Sequence, residues 1–412
     1  MPTRRQFLQL VAAGTVLTPS LARAQNRPAP VFDISGPNSL RAHAEAHGLL
    51  VGCAIVPERL RTDAQYAATV AAQANLLVAE NAMKWGALRP APDKFDFTAA
   101  DQIRAFAQAH NQRVRGHNLC WHESLPAWFA GTVTKDNARD FLTKHIQTVA
   151  GHFAGTLHSW DVVNEAIDMA SSRPDGLRES PWLQLAGDDY VELAFRTARE
   201  ADPAALLTYN DYGIELDTPK QAEKRDRVLA LVKKLHSNGG LIDAVGVQSH
   251  LHARDDVKGT GLRDFVRELH KMNLQVFITE FDVNEQNFKV ASPNFLAGSQ
   301  SNAAPSSAAS SSPGAQENSI KGSIERFLYG ERDAEVARIY REYLTMMLAE
   351  PNVTAILTWG ITDRSTWLNG AKYARPDGQS QRPLPLDADY NPTPAFFAER
   401  GALDSSPSQV GR

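Results

Sequence analysis

Cysteine is almost missing from this chain: two in 412 residues, Cys53 and Cys120. A chain so long and so poor in cysteine rests on neither a disulfide framework nor a cysteine-bound metal. Both fall inside strand-like runs, so two buried free thiols are expected, with one bridge between them as the alternative. Beyond the N-terminus no apolar run approaches the ~20 residues that span a bilayer, so no membrane insertion is expected. Lys and Arg form no block, which argues against nucleic acid or an anionic membrane as a partner. No G-x-G-x-x-G follows the first strand-like run, and no H-E-x-x-H occurs. His43-Ala44-Glu45-Ala46-His47 has metal-ligand spacing, but it precedes the first strand and reads as a solvated helix face. No metal and no cofactor is expected.

What is present begins with an export signal. Arg4-Arg5 is followed by an apolar stretch from Phe7 to Leu17 and by Ala22-Arg23-Ala24. A basic start, a short apolar run and an A-x-A site make residues 1–24 a cleaved signal of twin-arginine type. Export to the periplasm or beyond is therefore expected. Removing Arg4, Arg5 and Arg23 takes the formal charge from −4 to −7, which suits a protein acting on neutral material.

Strand-like runs then alternate with amphipathic helical patterns. The runs are Leu49–Val56, Asn75–Glu80, Arg113–Trp121, Leu157–Asn164, Ala205–Asn210, Ala244–His250, Gln275–Asp282 and Thr354–Ile361. Helices are expected at Asp136–Ala150, Tyr190–Glu200, Pro219–His236, Leu262–Met272 and Ala334–Leu348. Eight βα units in series predict one α/β domain over residues 25–403, a (β/α)8 TIM barrel. An open doubly wound sheet is the alternative. Between residues 297 and 315, 17 of 19 residues are Ser, Ala, Pro or Gly, too little apolar surface to order. Residues 286–330 are accordingly expected to be a disordered insertion after the seventh strand, and residues 404–412 a disordered tail.

In such a barrel the site lies where the strands end, and polar and aromatic residues crowd those ends. They include Glu80-Asn81 and Lys84-Trp85, His117 with Trp121-His122, Asn164-Glu165, Asn210-Asp211-Tyr212, Gln248-Ser249-His250, Glu280-Phe281-Asp282, and Trp359 with Trp367 beyond. A lone carboxylate at a strand end is usually a helix cap. Seven of eight strands ending this way exceeds what capping explains. Period-two geometry turns Glu280 and Asp282 into the mouth, and Thr279 and Phe281 towards the helices. Gln248 and His250 share a face on the neighbouring strand, placing an imidazole where it can orient Glu280. Glu165 and Glu280 lie on the fourth and seventh strands, nearly opposite one another. Two acids flanking one bond are what glycosidic cleavage requires, and rim tryptophans offer faces on which sugar rings stack.

These motifs, in this order from Leu49 to Phe397, resemble glycoside hydrolase family 10, the retaining endo-β-1,4-xylanases. They include Trp160-Asp161-Val162-Val163-Asn164-Glu165-Ala166, Ile278-Thr279-Glu280-Phe281-Asp282 and Thr358-Trp359-Gly360. The resemblance implies hydrolysis of internal bonds of xylan and xylo-oligosaccharides, with Glu165 as acid/base and Glu280 as nucleophile. A retaining pair implies carboxyl groups about 5–5.5 Å apart and a covalent glycosyl-enzyme. By the same resemblance Asn164 bonds the 2-hydroxyl of the reacting sugar, and His250 and Asp282 support the nucleophile. Glu80, Asn81, Lys84, His117, Trp121, Gln248, Trp359 and Trp367 correspond to glycone-side subsites, and Tyr212 begins the aglycone side. One departure is Glu123-Ser124-Leu125 before Pro126, where many relatives carry a Gln. Two other readings remain: a barrel acting on β-1,4-glucan, and a non-catalytic barrel that only binds polysaccharide.

Overall fold

The computed structural model describes residues 32–288 and 330–409. The expected signal, almost all of the expected insertion and residues 410–412 lie outside the described residues.

Among the described residues nine strands form one sheet: β1 (Leu50–Ile55), β2 (Leu76–Ala79), β3 (Arg113–Cys120), β4 (Ser159–Asn164), β5 (Leu206–Asp211), β6 (Ala244–Val247), β7 (His250–His252), β8 (Gln275–Asn284) and β9 (Val353–Thr358). All pairings are parallel, β1 pairs with β9, and β6 pairs directly with β8. Eight strands therefore close on themselves, and β7 is a short extension on β8. This is a (β/α)8 barrel, as the serial βα pattern predicts.

Strands covered on both faces bury nearly every position, and any polar residue there must find its partner inside. All four residues of β2 and all six of β4 are buried. Ala54, Leu76, Val78, Ala244, Phe277, Ala355 and Leu357 fill the barrel, and a larger layer joins strands to helices. The helix Gly261–Lys271 shows the matching 3.6-residue stripe, burying Leu262, Phe265, Val266 and Leu269. Helix starts follow local chemistry: the Ser180 and Thr218 side chains accept the N–H three residues on, with Pro181 and Pro219 opening the helices.

Four expectations change. The sixth run is two strands, because Ser249 takes a left-handed φ of 65° between β6 and β7. Its N–H donates to the Glu215 carboxylate and its hydroxyl meets Val247 O and the Tyr343 hydroxyl, so the break is pinned. The chain also stays packed past Leu403. The last helix runs Pro394–Ser405, and Gln409 donates to His47 O and Val353 O. His43 and His47 are not a solvated face either, since their rings meet Asp404 and Ser406 O. Finally, Gln286 and Phe288 belong to the barrel. The Gln286 amide donates to Lys372 O and Ala374 O, and buried Phe288 offers its carbonyl to Arg375.

Cys53 and Cys120 are buried and unbridged, with burial pushing both thiols up. Among the described residues no helix is long and apolar enough to cross a membrane.

Candidate active site

The fourth strand ends at Asn164, and the next residue leaves the strand abruptly. Glu165 has φ 58°, in the region that residues with a Cβ rarely occupy. Its N–H donates to Asn210 O, and its own carbonyl accepts from Arg178 Nε at 2.9 Å. The carboxylate takes one bond from Trp121 Nε1 at 3.0 Å and one from Gln248 Nε2 at 2.9 Å, with Asn164 Nδ2 at 3.3 Å. Burial raises its pKa. The bonds from Gln248 and Trp121 pull it back, and Asp211 and Glu280 push it up again.

Glu280 lies three places round the barrel, across β5 and β6, and is only 6 % exposed. Its Oε1 accepts from Asn210 Nδ2 at 2.8 Å, and its Oε2 meets His250 Nε2 at 3.3 Å. Burial raises the pKa of this group too. Here the His250 bond, the His117 and His250 charges and the Asn210 bond prevail, and hold the carboxyl down at about 2. His250 in turn meets Asp282 Oδ1 through Nδ1 at 2.9 Å. Burial disfavours its charge, but Asp282 and Glu280 keep the ring protonated well above the usual histidine range. Trp367 Nε1 donates to the other Asp282 oxygen at 2.7 Å. His250 meets Glu280 as the spacing predicts, whereas Gln248, on the other side of the break at Ser249, reaches Glu165, a contact the spacing did not predict.

The alternation expected on β8 fails at one residue. Phe281 does face the helices, against Tyr340 and Tyr343. Thr279 does not, because its hydroxyl donates to Asn210 Oδ1 at 2.7 Å inside the barrel. The β8–β9 register slips between Ile278 and Phe281, and such a bulge lets two successive residues share a face. Thr279 and Glu280 thus both serve Asn210. The space they use exists only because Gly246 lacks a side chain: a Cβ there would stand 2.1 Å from Asn210 Oδ1.

The remaining predicted residues line the same mouth on two sides of the acid pair. On one, Asn81 Nδ2 donates to Glu80 Oε1 at 3.2 Å, and Asn81 Oδ1 accepts from Lys84 Nζ at 3.0 Å. Burial raises the Glu80 carboxyl and lowers the Lys84 ammonium, the latter against the pull of Glu280, Glu80 and Glu165. The Lys84 Nζ lies 5.1 Å from the centre of the Trp121 ring and 5.9 Å from that of Trp359. His117 stands edge-on to Trp359 at 5.5 Å, and Trp367 sits 5.1 Å from His250. On the other side is Tyr212, 40 % exposed, with Lys224 Nζ 4.1 Å from its ring centre and Arg178 Nη2 3.4 Å from its hydroxyl. Glu123, at the departure from the family pattern, is exposed. Among the described residues no group of His, Cys, Asp and Glu is placed to hold a metal ion.

Sequence reasoning gave no role to several residues. Asn210 sits between both acids, donating to Glu280 and to Asn164 Oδ1 at 2.9 Å. Its inward position on β5 is readable from period two, but its contacts are not. Arg178 lies in the loop after β4 and carries no periodic signal. Inside the barrel, buried Arg115 pairs with Asp161, whose other oxygen meets His117 Nδ1 at 2.9 Å. Alternating charges in Arg113-Val114-Arg115 hinted at this. Tyr373 packs edge-on against Trp367 at 4.5 Å. Size does not locate the site, for a cavity of about 1030 Å³ opens at the opposite mouth, lined by Leu50, Arg113, Leu206 and Gln275 at strand starts.

Fold and site together define a class: closed barrels carrying two acids at the C-terminal mouth, one held down by a histidine and an asparagine and the other pushed up by burial. The sequence matches the family model described as Glycosyl hydrolase family 10 over residues 39–402, and the chain belongs to that family. It is 33% identical over 362 residues to Endo-1,4-beta-xylanase A of Thermoanaerobacterium saccharolyticum, covering 84% of this chain and 26% of that one. Exoglucanase XynX of Acetivibrio thermocellus is also 33% identical over 362 residues, covering 84% of this chain and 28% of that one. The chain thus spans about a quarter of the length of these two relatives. Among solved structures it is similar to xylanase 10B from Thermotoga petrophila in complex with xylobiose. That match has a TM-score of 0.71 and 31% identity, over 89% of this chain and 97% of that one.

Proposed function

We propose that this protein is an endo-1,4-β-xylanase that cleaves internal bonds of xylan with retention of configuration. The observation that carries the reading is a pair of buried acids in one mouth with different partners: Glu280 between Asn210 and His250, Glu165 between Trp121 and Gln248. Glu280, down at about 2, is a carboxylate at any working pH. Glu165, pushed up, keeps its proton longer than an ordinary glutamate. Glu280 attacks the anomeric carbon while Glu165 protonates the departing oxygen, which forms a glycosyl-enzyme and releases the aglycone sugar. Esterification removes the Glu280 charge, one of the causes raising Glu165, so Glu165 then deprotonates the water that completes hydrolysis. To Asn164, whose Oδ1 is bonded by Asn210 and Gln248, we assign the 2-hydroxyl of the reacting sugar. His250, Asp282 and Trp367 form the chain that fixes Glu280.

The named relatives support xylan as substrate, and so does the bulk of Trp359 and Trp367 where a glucose hydroxymethyl group would need room. One relative's name, Exoglucanase XynX, favours the glucan reading. Initial rates on xylan and on carboxymethylcellulose separate the two. A higher rate on the cellulose derivative overturns the assignment, and no reducing-sugar release from either polymer favours a binding-only barrel. Export through residues 1–24 belongs to the same proposal. Cell fractionation, with mature protein beginning near Gln25, tests it.

A further inference from the structure

Glu165 must hold its carboxyl against a glycosidic oxygen, yet its backbone sits at φ 58°, a conformation unfavourable for a residue with a side chain. Such a conformation persists only when its surroundings over-determine it. Asn210 O holds the N–H side of Glu165, and one residue holds the carbonyl side. The Arg178 N–H donates to Ala166 O at 2.7 Å, and Arg178 Nε donates to Glu165 O at 2.9 Å. Two successive carbonyls, on either side of the turn out of β4, are thus held by one arginine. Its Nη1 pairs with Asp168 Oδ2 at 3.1 Å, and its Nη2 reaches the Tyr212 hydroxyl at 3.4 Å. The Arg178 side chain is 15 % exposed and Asp168 30 %. The guanidinium therefore lies beneath the surface, between the backbone of the acid and an open tyrosine.

We infer that Arg178 is a positioning residue that sets the orientation of the Glu165 carboxyl and links it to the Tyr212 platform on which the leaving sugar rests. The inference rests on the proposed acid/base role of Glu165. A guanidinium suits the task because its planar fork meets three acceptors at fixed angles, whereas an ammonium meets them as a point charge. A leaving sugar on Tyr212 presses on a hydroxyl already bonded to the group that aims the acid. Binding on that side and proton delivery then share one rigid connection. Arg178 makes no bond to Glu280, so the nucleophile is outside its reach.

The test uses the dependence on leaving group. The full chain carrying Arg178→Met is compared with wild type on xylan and on a dinitrophenyl β-xylobioside, whose leaving group departs without a proton. Misplacing the acid is expected to lower kcat/KM on xylan by about tenfold or more, and to leave kcat/KM on the activated glycoside within about threefold. Arg178→Lys should restore part of the xylan rate. Equal losses on both substrates, or xylan activity within about threefold of wild type, overturn the inference. If Arg178→Met does not fold, Asp168→Asn loosens the same guanidinium. It should give a smaller loss confined to xylan, and a loss shared by both substrates again overturns the inference. The underlying reading fails differently, through a wild-type enzyme that gives no xylan hydrolysis or a Glu165→Ala variant that cleaves xylan normally.

Discussion

Replacing His250 by Asn removes the imidazole that touches both Asp282 and Glu280, and keeps a small polar side chain in its place. Glu280 is 6 % exposed, so solvent does little to screen the loss. With the His250 bond and charge gone, burial works against the weaker support of His117, Asn210 and Lys84, and the carboxyl climbs from about 2 towards its ordinary 4.5. That is a shift of about two pH units, or roughly 3 kcal/mol between the two protonation states. The direction follows from the chemistry. The attacking form is the carboxylate, and it is lost as pH falls through the Glu280 pKa. The acid limb of kcat/KM, which reports groups in the free enzyme, should therefore move upward by about two units in His250→Asn. At neutral pH both proteins hold Glu280 ionised, so the difference there should be much smaller than near pH 3. The assay is kcat/KM on a dinitrophenyl xylobioside, in brief measurements from about pH 2.5 to 7 with circular dichroism on the same samples. That substrate needs no proton from Glu165, which isolates the nucleophile. An acid limb that stays put or moves downward in a folded variant refutes the reasoning.

Glu165→Ala should lower kcat/KM on xylan by about 10²–10⁴-fold while sparing formation of the glycosyl-enzyme from the dinitrophenyl glycoside. Added azide should then restore turnover, and failure of azide to do so counts against the acid/base role. Gly246→Ala would drive a methyl group into Asn210 Oδ1 and to 2.9 Å from Thr279. Both the Asn210 bond to Glu280 and thermal stability should suffer, and a variant with unchanged kcat and melting temperature would contradict the packing described. Glu399 is buried with Oε2 unpartnered, and burial pushes its carboxyl up to about 8. The folded state thus binds this proton more tightly than the unfolded chain, and stability falls as pH rises from about 4.5 to 8. Glu399→Gln should melt at a higher temperature than wild type by a margin that grows across that range. A margin that is the same at both ends speaks against a buried neutral carboxyl.

The barrel was legible because its signals are local. Continuous apolar runs such as Leu76–Ala79 and stripes such as Leu262, Phe265, Val266 and Leu269 name strands and helices without any knowledge of partners. The acid pair was legible for the same reason, since strand ends mark the mouth. What stayed hidden depends on register and on contacts between distant segments. The bulge that turns Thr279 inward arises from slippage against β9, some 80 residues further on, and no pattern within Gln275–Asn284 records it. Arg178 sits in an aperiodic loop and acts through carbonyl oxygens, which every residue possesses. The residues after Leu403 look like a polar tail, yet Gln409 is held by His47 O and Val353 O, partners more than 50 residues away.

The central claim is that Glu280 becomes covalently bonded to the sugar while Glu165 handles the proton. Inactivation by a 2-deoxy-2-fluoro xylobioside with a dinitrophenyl leaving group, followed by peptide mapping, tests it directly. The account predicts one added fluoroxylobiosyl group, located on Glu280. A label on Glu165, or an inactivated protein carrying no added mass, contradicts it.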